Sequence, residues 1–173
     1  METDRLLVLT AAVLVGFSAI VHLILGLGGM VEWLTHGDRS LLAVLFVLSG
    51  LGILAGIGAV TTGVLPPRPA YVLGAFMMAI YLVGYADWHA FGVTESILGL
   101  EGHDHHHHDH DHDHDHSHDH DHDHGHGHEH DGGAITVLGD HLVEDPLALL
   151  TKSAEAVALG LLLILSVASW NRA

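Results

Sequence analysis

The chain of 173 residues is 49% hydrophobic and has a formal net charge of −16, with only five Lys or Arg. This charge excludes a basic nucleic-acid-binding surface, and the absence of cysteine excludes a disulfide framework. Mean hydropathy is +0.39 although a long polar tract is included, so the other segments must be very apolar.

Four apolar segments reach the roughly 20 residues that a helix needs to cross a bilayer. The first is too long for the apolar region of a signal peptide, so we expect it to be retained. We therefore predict an all-α integral membrane four-helix bundle, with a disordered His/Asp-rich loop between helices 3 and 4. The segments are predicted at about residues 6–30, 41–65, 70–91 and 146–170.

The first two connections are predicted from their composition. Residues 31–40 are predicted to form a loop, with Trp33 at the membrane interface. Three prolines between residues 66 and 69 end the second helix, and so short a turn predicts an antiparallel hairpin with the third. Small residues spaced three or four apart in the second segment predict close approach of a neighbouring helix backbone: Ser49, Gly52, Gly56, Ala59 and Gly63.

A tract of histidine and aspartate separates the third segment from the fourth. Residues 102–131 contain no apolar side chain, so burial cannot offset the entropy of ordering them, and we predict disorder over 102–133. Imidazole and carboxylate groups bind Zn²⁺, Ni²⁺, Co²⁺ and Cu²⁺. We expect this tract to bind several such ions loosely, at sites from which they exchange. The predicted ligands are His103, His105, His106, His107, His108, His110, His112, His114, His116, His118, His120, His122, His124, His126, His128 and His130.

The tract has two alternative interpretations. It carries ten carboxylates and sixteen imidazoles, so full protonation of the histidines changes its charge from −10 to +6. That change is centred on the reference imidazole pKa of roughly 6.5, as in a pH sensor. The other alternative is a solubilising acidic linker.

The domain division follows from these segments. Residues 1–101 hold transmembrane helices 1–3, residues 102–133 the loop, and residues 134–173 a connector and the fourth helix. Residues 132–145 are predicted to be a small polar connection, after which Pro146 opens the helix. An even number of spans places both termini on one side, and the distribution of Lys and Arg favours cytoplasmic termini and an extracellular tract in the cell membrane.

Ionisable residues inside apolar spans are costly and indicate function or pairing. His22 and Glu155 are each predicted about 12 Å below the tract-side surface, and Asp87 about 6 Å below it. We predict these three as inner metal ligands or proton carriers. The alternatives are that His22 only hydrogen-bonds between helices, that Glu155 only neutralises Lys152 three residues earlier, and that Asp87 is solvated.

Two resemblances add to this prediction. The tract resembles the His-rich loops of ZIP, cation diffusion facilitator and nickel/cobalt permease transporters, whose paired His-x-x-x-Asp or His-x-x-x-Glu helix motifs are absent from these four segments. The body is similar to small uncharacterised four-helix membrane proteins of haloarchaea and some bacteria, which implies a fold and a location but no activity. The similarity rests on His22-Leu23, Leu45-Phe46, Gly50, Gly84-Tyr85, Glu144-Asp145-Pro146, Lys152 and Glu155.

The function predicted from the sequence is binding of divalent transition metals at a membrane, as a contribution to ion transport. Expected partners are the lipid bilayer, metal ions, and either a second copy of the chain or another membrane protein; nucleic acid is not expected. The alternative is a non-transporting accessory or a metal or pH sensor. We do not predict an enzyme, because the sequence has no nucleophile–base pair, phosphate-binding glycine loop or cofactor motif.

A peptide of residues 102–131 should bind several Zn²⁺, Ni²⁺ or Cu²⁺ ions near pH 7.5 and release them below about pH 6, because protonated imidazole is not a ligand. Titration calorimetry at both pH values measures this. A peptide with every histidine replaced by asparagine keeps the carboxylates and serves as the control. The metal interpretation fails if none of these ions gives a heat of binding with the native peptide.

Overall fold

The computed structural model describes residues 2–37, 41–91 and 134–171, and the predicted loop at 102–133 lies outside them. The described chain is all-α, as predicted. Its elements are α1 (Glu2–His36), α2 (Leu41–Thr61), α3 (Pro67–Ala86) with a π-helical turn (Asp87–Phe91), α4 (Ala134–Glu144) and α5 (Pro146–Trp170). Four of these helices, α1, α2, α3 and α5, are long and apolar enough to cross a membrane.

α1 is longer than predicted. Residues 31–36 continue the helix, so the predicted loop over 31–40 is wrong for that part; residues 38–40 lie outside the described ranges. The polar residues there do not break a helix, since the stretch contains neither proline nor glycine. The helix ends at Gly37, whose positive φ of 84° is a conformation that glycine adopts without a steric penalty.

The predicted polar connection over residues 132–145 is also wrong in part, because α4 occupies Ala134–Glu144. Leu138 and Leu142 lie four residues apart, on one helical face, and both are half-buried. α4 contacts the π-helical turn and the start of α5. Asp145 then caps α5 by accepting hydrogen bonds from the backbone N–H groups of Leu147 and Ala148, and Pro146 opens the helix as predicted.

The helices pack in an order that differs from their order in sequence. α1 packs along both α2 and α5, and α3 packs along α5, whereas α2 and α3 contact each other sparsely. The core therefore lies where α1, α3 and α5 meet. Its most deeply buried members include Ala11, Val15, Ala19, Met78, Ala158 and Leu162.

Glycines of α1 and α2 bring those two helices together. A Cβ added at Gly26 would lie 2.8 Å from the carbonyl oxygen of Ala43, and one at Gly50 would lie 2.9 Å from that of Ala19. The predicted contact stripe on α2 is wrong at Gly52 and Gly56, where an added Cβ meets nothing within 4 Å. The packed face of α2 is thus the one that carries Gly50.

The start of α1 and the end of α5 lie at the same end of the helices. Arg5, Thr61, Arg68 and Ser169, from the four long helices, line one cavity. Arg68 donates a hydrogen bond of 2.6 Å to the carbonyl oxygen of Ser169. We call this the terminal end; the opposite end, where α1 and α3 finish and α5 begins, is the tract end.

Gly26→Ala and Gly50→Ala should each lower the free energy of unfolding by about 1–3 kcal/mol, because the new methyl group forces two backbones apart. Gly58→Ala on α2 is the matched control. An added Cβ there meets nothing within 4 Å, so that variant should be neutral or slightly stabilising. Reversible unfolding in detergent micelles measures all three, and equal effects at Gly50 and Gly58 would contradict the close α1–α2 contact.

A buried polar cluster as candidate functional site

A polar cluster lies where α1 meets α5. Ser18 and His22 are four residues apart on α1, and Thr151 and Glu155 are four apart on α5, so each pair shares one helical face. All four are buried, with Glu155 0% and His22 3% exposed. Packing α1 against α5 therefore brings two polar faces together inside otherwise apolar helices.

The Glu155 carboxylate has a partner on each oxygen. Oε1 accepts a hydrogen bond of 2.7 Å from the hydroxyl of Ser18, and Oε2 accepts one of 2.8 Å from Nζ of Lys152. Lys152 lies one helical turn before Glu155, and its side chain keeps 14% exposure. A buried carboxylate is stable only when it is paired and hydrogen-bonded, and these two contacts meet both conditions.

The ammonium group of Lys152 is held by α3 as well. Its Nζ lies 3.5 Å from the carbonyl oxygen of Tyr81 and over the rings of Tyr81 and Tyr85, at 5.9 and 5.2 Å from their centroids. Aromatic faces attract cations within about 6 Å. Through Lys152 the ion pair connects α5 to α3, and through the hydrogen bond from Ser18 to Glu155 it connects α5 to α1.

The tautomer of His22 follows from its contacts. Nδ1 lies 2.9 Å from the carbonyl oxygen of Ser18, which can only accept, so Nδ1 carries the proton. In a neutral imidazole the lone pair is then on Nε2. Nδ1 also lies 3.7 Å from Oε1 of Glu155, so His22 turns its N–H edge toward the carboxylate.

Aromatic contacts fix the plane of the His22 ring. Tyr81 of α3 stacks on it with a centroid distance of 3.8 Å and an interplanar angle of 9°, and Phe46 of α2 meets it edge-on at 4.9 Å. The Tyr81 hydroxyl donates a hydrogen bond of 2.7 Å to Oγ of Ser49 on α2. One chain of contacts thus connects all four long helices through His22.

The predicted inner residues are only partly brought together. His22 and Glu155 meet. The backbone bond of His22 goes to Ser18 of its own helix and not between helices, and Glu155 pairs with Lys152 but also accepts a hydrogen bond from Ser18, so neither alternative holds in the form predicted. Asp87 begins the π-helical turn and makes interactions of its own. Within residues 2–37, 41–91 and 134–171, no three His, Asp or Glu side chains are grouped closely enough to hold a metal ion.

Sequence reasoning missed Ser18, Phe46, Ser49 and Tyr81. For Ser18 a signal exists, because it lies four residues before His22 and therefore on the same helical face. The other three lie on α2 and α3, where serine and aromatic residues are common in apolar helices. Their role depends on how each helix is rotated about its axis.

This arrangement suits proton exchange better than joint metal ligation. The His22 nitrogen nearest Glu155 carries a proton, so the two residues do not present lone pairs to one ion, and the Lys152 ammonium repels a cation at Oε2. The Ser18 hydroxyl lies between them, with Oγ 3.4 Å from Nδ1 of His22 and 2.7 Å from Oε1 of Glu155. His22, the Ser18 hydroxyl and Glu155 thus form one continuous line of polar contacts from α1 to α5.

Comparison of the chain with protein-family models, curated proteins and solved structures gives no match.

Lys152→Met should lower the free energy of unfolding by about 3 kcal/mol, because Glu155 is left buried without its counter-charge. The double variant Lys152→Met, Glu155→Gln should recover much of that loss, since neither charge remains. Thr151→Val is the control: the Thr151 hydroxyl bonds the carbonyl of Leu147 within its own helix, so its removal should change stability little. Unfolding in micelles measures the set, and strictly additive effects of the two substitutions would contradict the coupling.

Proposed function

We propose that this chain is a multi-pass membrane protein that binds divalent transition metals through its His/Asp tract and contributes to their transport. In this proposal the polar cluster between α1 and α5 exchanges the protons that accompany metal movement. One observation carries the proposal: a single chain combines sixteen histidines in one tract with a buried His22–Ser18–Glu155–Lys152 path in its apolar helices.

The position of the cluster supports a link to the tract. Glu155 lies about 13 Å along α5 from Pro146, which is within the roughly 15 Å of hydrocarbon in one leaflet. In sequence the tract is followed by α4 and then by α5. The cluster lies in the first half of α5, so an ion gathered by the tract would approach the cluster from the closer end of that helix. Four helices of this composition are compatible with a bilayer location.

Proton chemistry supports coupling between tract and cluster. An imidazole must be neutral to bind a metal, so loading the tract with metal gives off protons and releasing the metal takes protons up. The cluster offers His22, Glu155 and Lys152 in contact inside the helices. A metal ion moving one way and protons moving the other would leave the acidic tract ready for the next ion.

Orientation and assembly complete the proposal. We place the termini in the cytoplasm and the tract outside, so the tract meets ions before they reach the helices. Zinc, nickel, cobalt and copper(II) are all suitable ions, because imidazole and carboxylate ligands accommodate each of them. A second copy of the chain, or a partner membrane protein, would widen the path that four helices alone leave narrow.

A second candidate is a non-transporting accessory or a metal or pH sensor. The observation that favours it is the pairing of Glu155 with Lys152 and Ser18, which leaves both carboxylate oxygens occupied. In that case the chemistry lies in the tract, and the helices anchor it.

Proteoliposomes with the full chain should accumulate ⁶⁵Zn²⁺ while a pH dye reports proton movement in the opposite direction. His22→Ala and Glu155→Gln should each reduce flux by about tenfold or more, because each interrupts the proton path. Deletion of residues 103–130 should weaken uptake only at low zinc concentration.

Thr151→Val is the matched control for a buried polar residue of α5. Its hydroxyl bonds the carbonyl of Leu147 and is not part of the proposed His22–Ser18–Glu155–Lys152 path, so this variant should retain wild-type flux. If the intact chain binds zinc but never moves it, the accessory function is favoured. If tract deletion abolishes all activity while His22→Ala and Glu155→Gln have no effect, the helices take no part in the chemistry.

A further inference from the structure

An apolar groove opens between α2 and α3 and ends at Ser49, whose partner Tyr81 stacks on His22 of the polar cluster. Its cavity is about 380 Å³, and side-chain hydroxyls occur on its walls only at Ser49, Thr61 and Tyr71 among the described residues. The groove exists because α2 and α3 pack against α1 and α5 respectively, and contact each other sparsely.

Glycines of α2 leave one wall of the groove without side chains. Gly52 and Gly56 line it, and an added Cβ at either position meets nothing within 4 Å. Ser49 lies at the inner end, where it accepts the hydrogen bond from Tyr81. From Ser49 to Thr61 the groove follows α2 for about 18 Å, close to the roughly 15 Å depth of one leaflet.

The outer end of the groove leads to a basic mouth at the terminal end. Val8, Ala12, Thr61 and Tyr71 line both the groove and the terminal-end cavity. That cavity also holds Arg5, Arg68 and Asp4, which gives the mouth a net positive charge in a chain of net charge −16. Two of the five Lys and Arg residues of the chain are therefore at this one place.

The guanidinium of Arg68 is positioned over the mouth by its bond of 2.6 Å to the carbonyl oxygen of Ser169. A guanidinium has several N–H donors in a planar fork that matches the oxygens of a phosphate. Arg5 lies one turn before Val8 on α1, so its guanidinium is at the same mouth of the groove. The mouth thus combines two cations with an apolar groove directly beneath them.

We propose that this groove holds one acyl chain of an anionic phospholipid, with the lipid phosphate between Arg5 and Arg68. A dry apolar cavity binds apolar ligands rather than water, and acyl chains are what a bilayer supplies beside an open helix face. Basic residues at the membrane surface attract anionic headgroups. The inference requires the membrane location but not the metal or proton activity.

Native mass spectrometry of the full chain in detergent tests this, with phosphatidylglycerol and phosphatidylcholine of identical acyl chains as probes. The wild type should retain one phosphatidylglycerol per chain in preference to phosphatidylcholine. Arg68→Gln and Arg5→Gln should each weaken phosphatidylglycerol retention by about fivefold, the factor for one surface charge, and leave phosphatidylcholine unchanged.

Gly56→Leu fills the groove and should reduce retention of both lipids by about tenfold. Gly58→Leu is the control, because an added Cβ at Gly58 meets nothing within 4 Å and the residue does not line the groove. Absence of a headgroup preference in the wild type, or unchanged preference in both arginine variants, overturns the proposal even if Gly56→Leu fails to fold.

A second copy of the chain is the competing occupant. Since the sequence has no cysteine, Gly56→Cys provides a single reporter in liposomes. With copper phenanthroline added as the oxidant, rapid formation of disulfide-linked dimers through this cysteine would show that another copy covers the groove and would overturn lipid occupancy. Labelling by a lipid-soluble maleimide without dimers supports it.

Discussion

The burial of the Glu155 carboxylate constrains the rest of the structure. An unpaired carboxylate in an apolar interior costs several kcal/mol, so each oxygen needs a donor in fixed geometry. Lys152 supplies one from the same helix, and Ser18 supplies the other from α1. The α1–α5 contact can therefore have only the rotation and axial register that bring Ser18 opposite Glu155.

The other helix contacts are adapted to that register. His22 lies one turn from Ser18, and Tyr81 stacks on its ring, so α3 is positioned against α1 as well as against α5. α2 attaches to a neighbouring face of α1 through the close approaches at Gly26 and Gly50, and its Phe46 reaches the same His22 ring. Because α2 and α3 are each held by a different neighbour, the sequence-adjacent pair is left apart and a groove remains between them.

Much of the fold could be predicted from the sequence, because length and apolarity alone define four long helices. The missed segments, residues 31–36 and α4, are polar or mixed in composition. Neither contains proline, and α4 continues through Gly139, so composition alone does not decide such cases. The contact face of α2 could not be predicted either. Nearly every position of that helix is apolar, so the pattern of residues does not show which side is packed, and Gly52 looks as suitable as Gly50.

Part of the candidate site could also be predicted from the sequence, namely its ionisable residues but not their contacts. His22 and Glu155 stand out because ionisable residues in apolar helices are rare, and the structure brings them within 3.7 Å. Asp87 stands out for the same reason, yet it lies in the π-helical turn at the end of α3. The protonated nitrogen of His22, the bridging hydroxyl of Ser18 and the stacking of Tyr81 depend on helix rotation, which depth along the sequence does not specify.

The unequal lengths of α1 and α2 have a mechanical consequence. α2 has 21 residues and spans about 32 Å, which matches the roughly 30 Å of hydrocarbon in a bilayer. α1 has 35 residues and is about 52 Å long, so the two helices cannot both fit the same slab. α1 must therefore tilt, or extend beyond the hydrocarbon by about 20 Å in total. Because α1 is one continuous helix, it holds Trp33 and His36 at a fixed distance from His22 and the polar cluster.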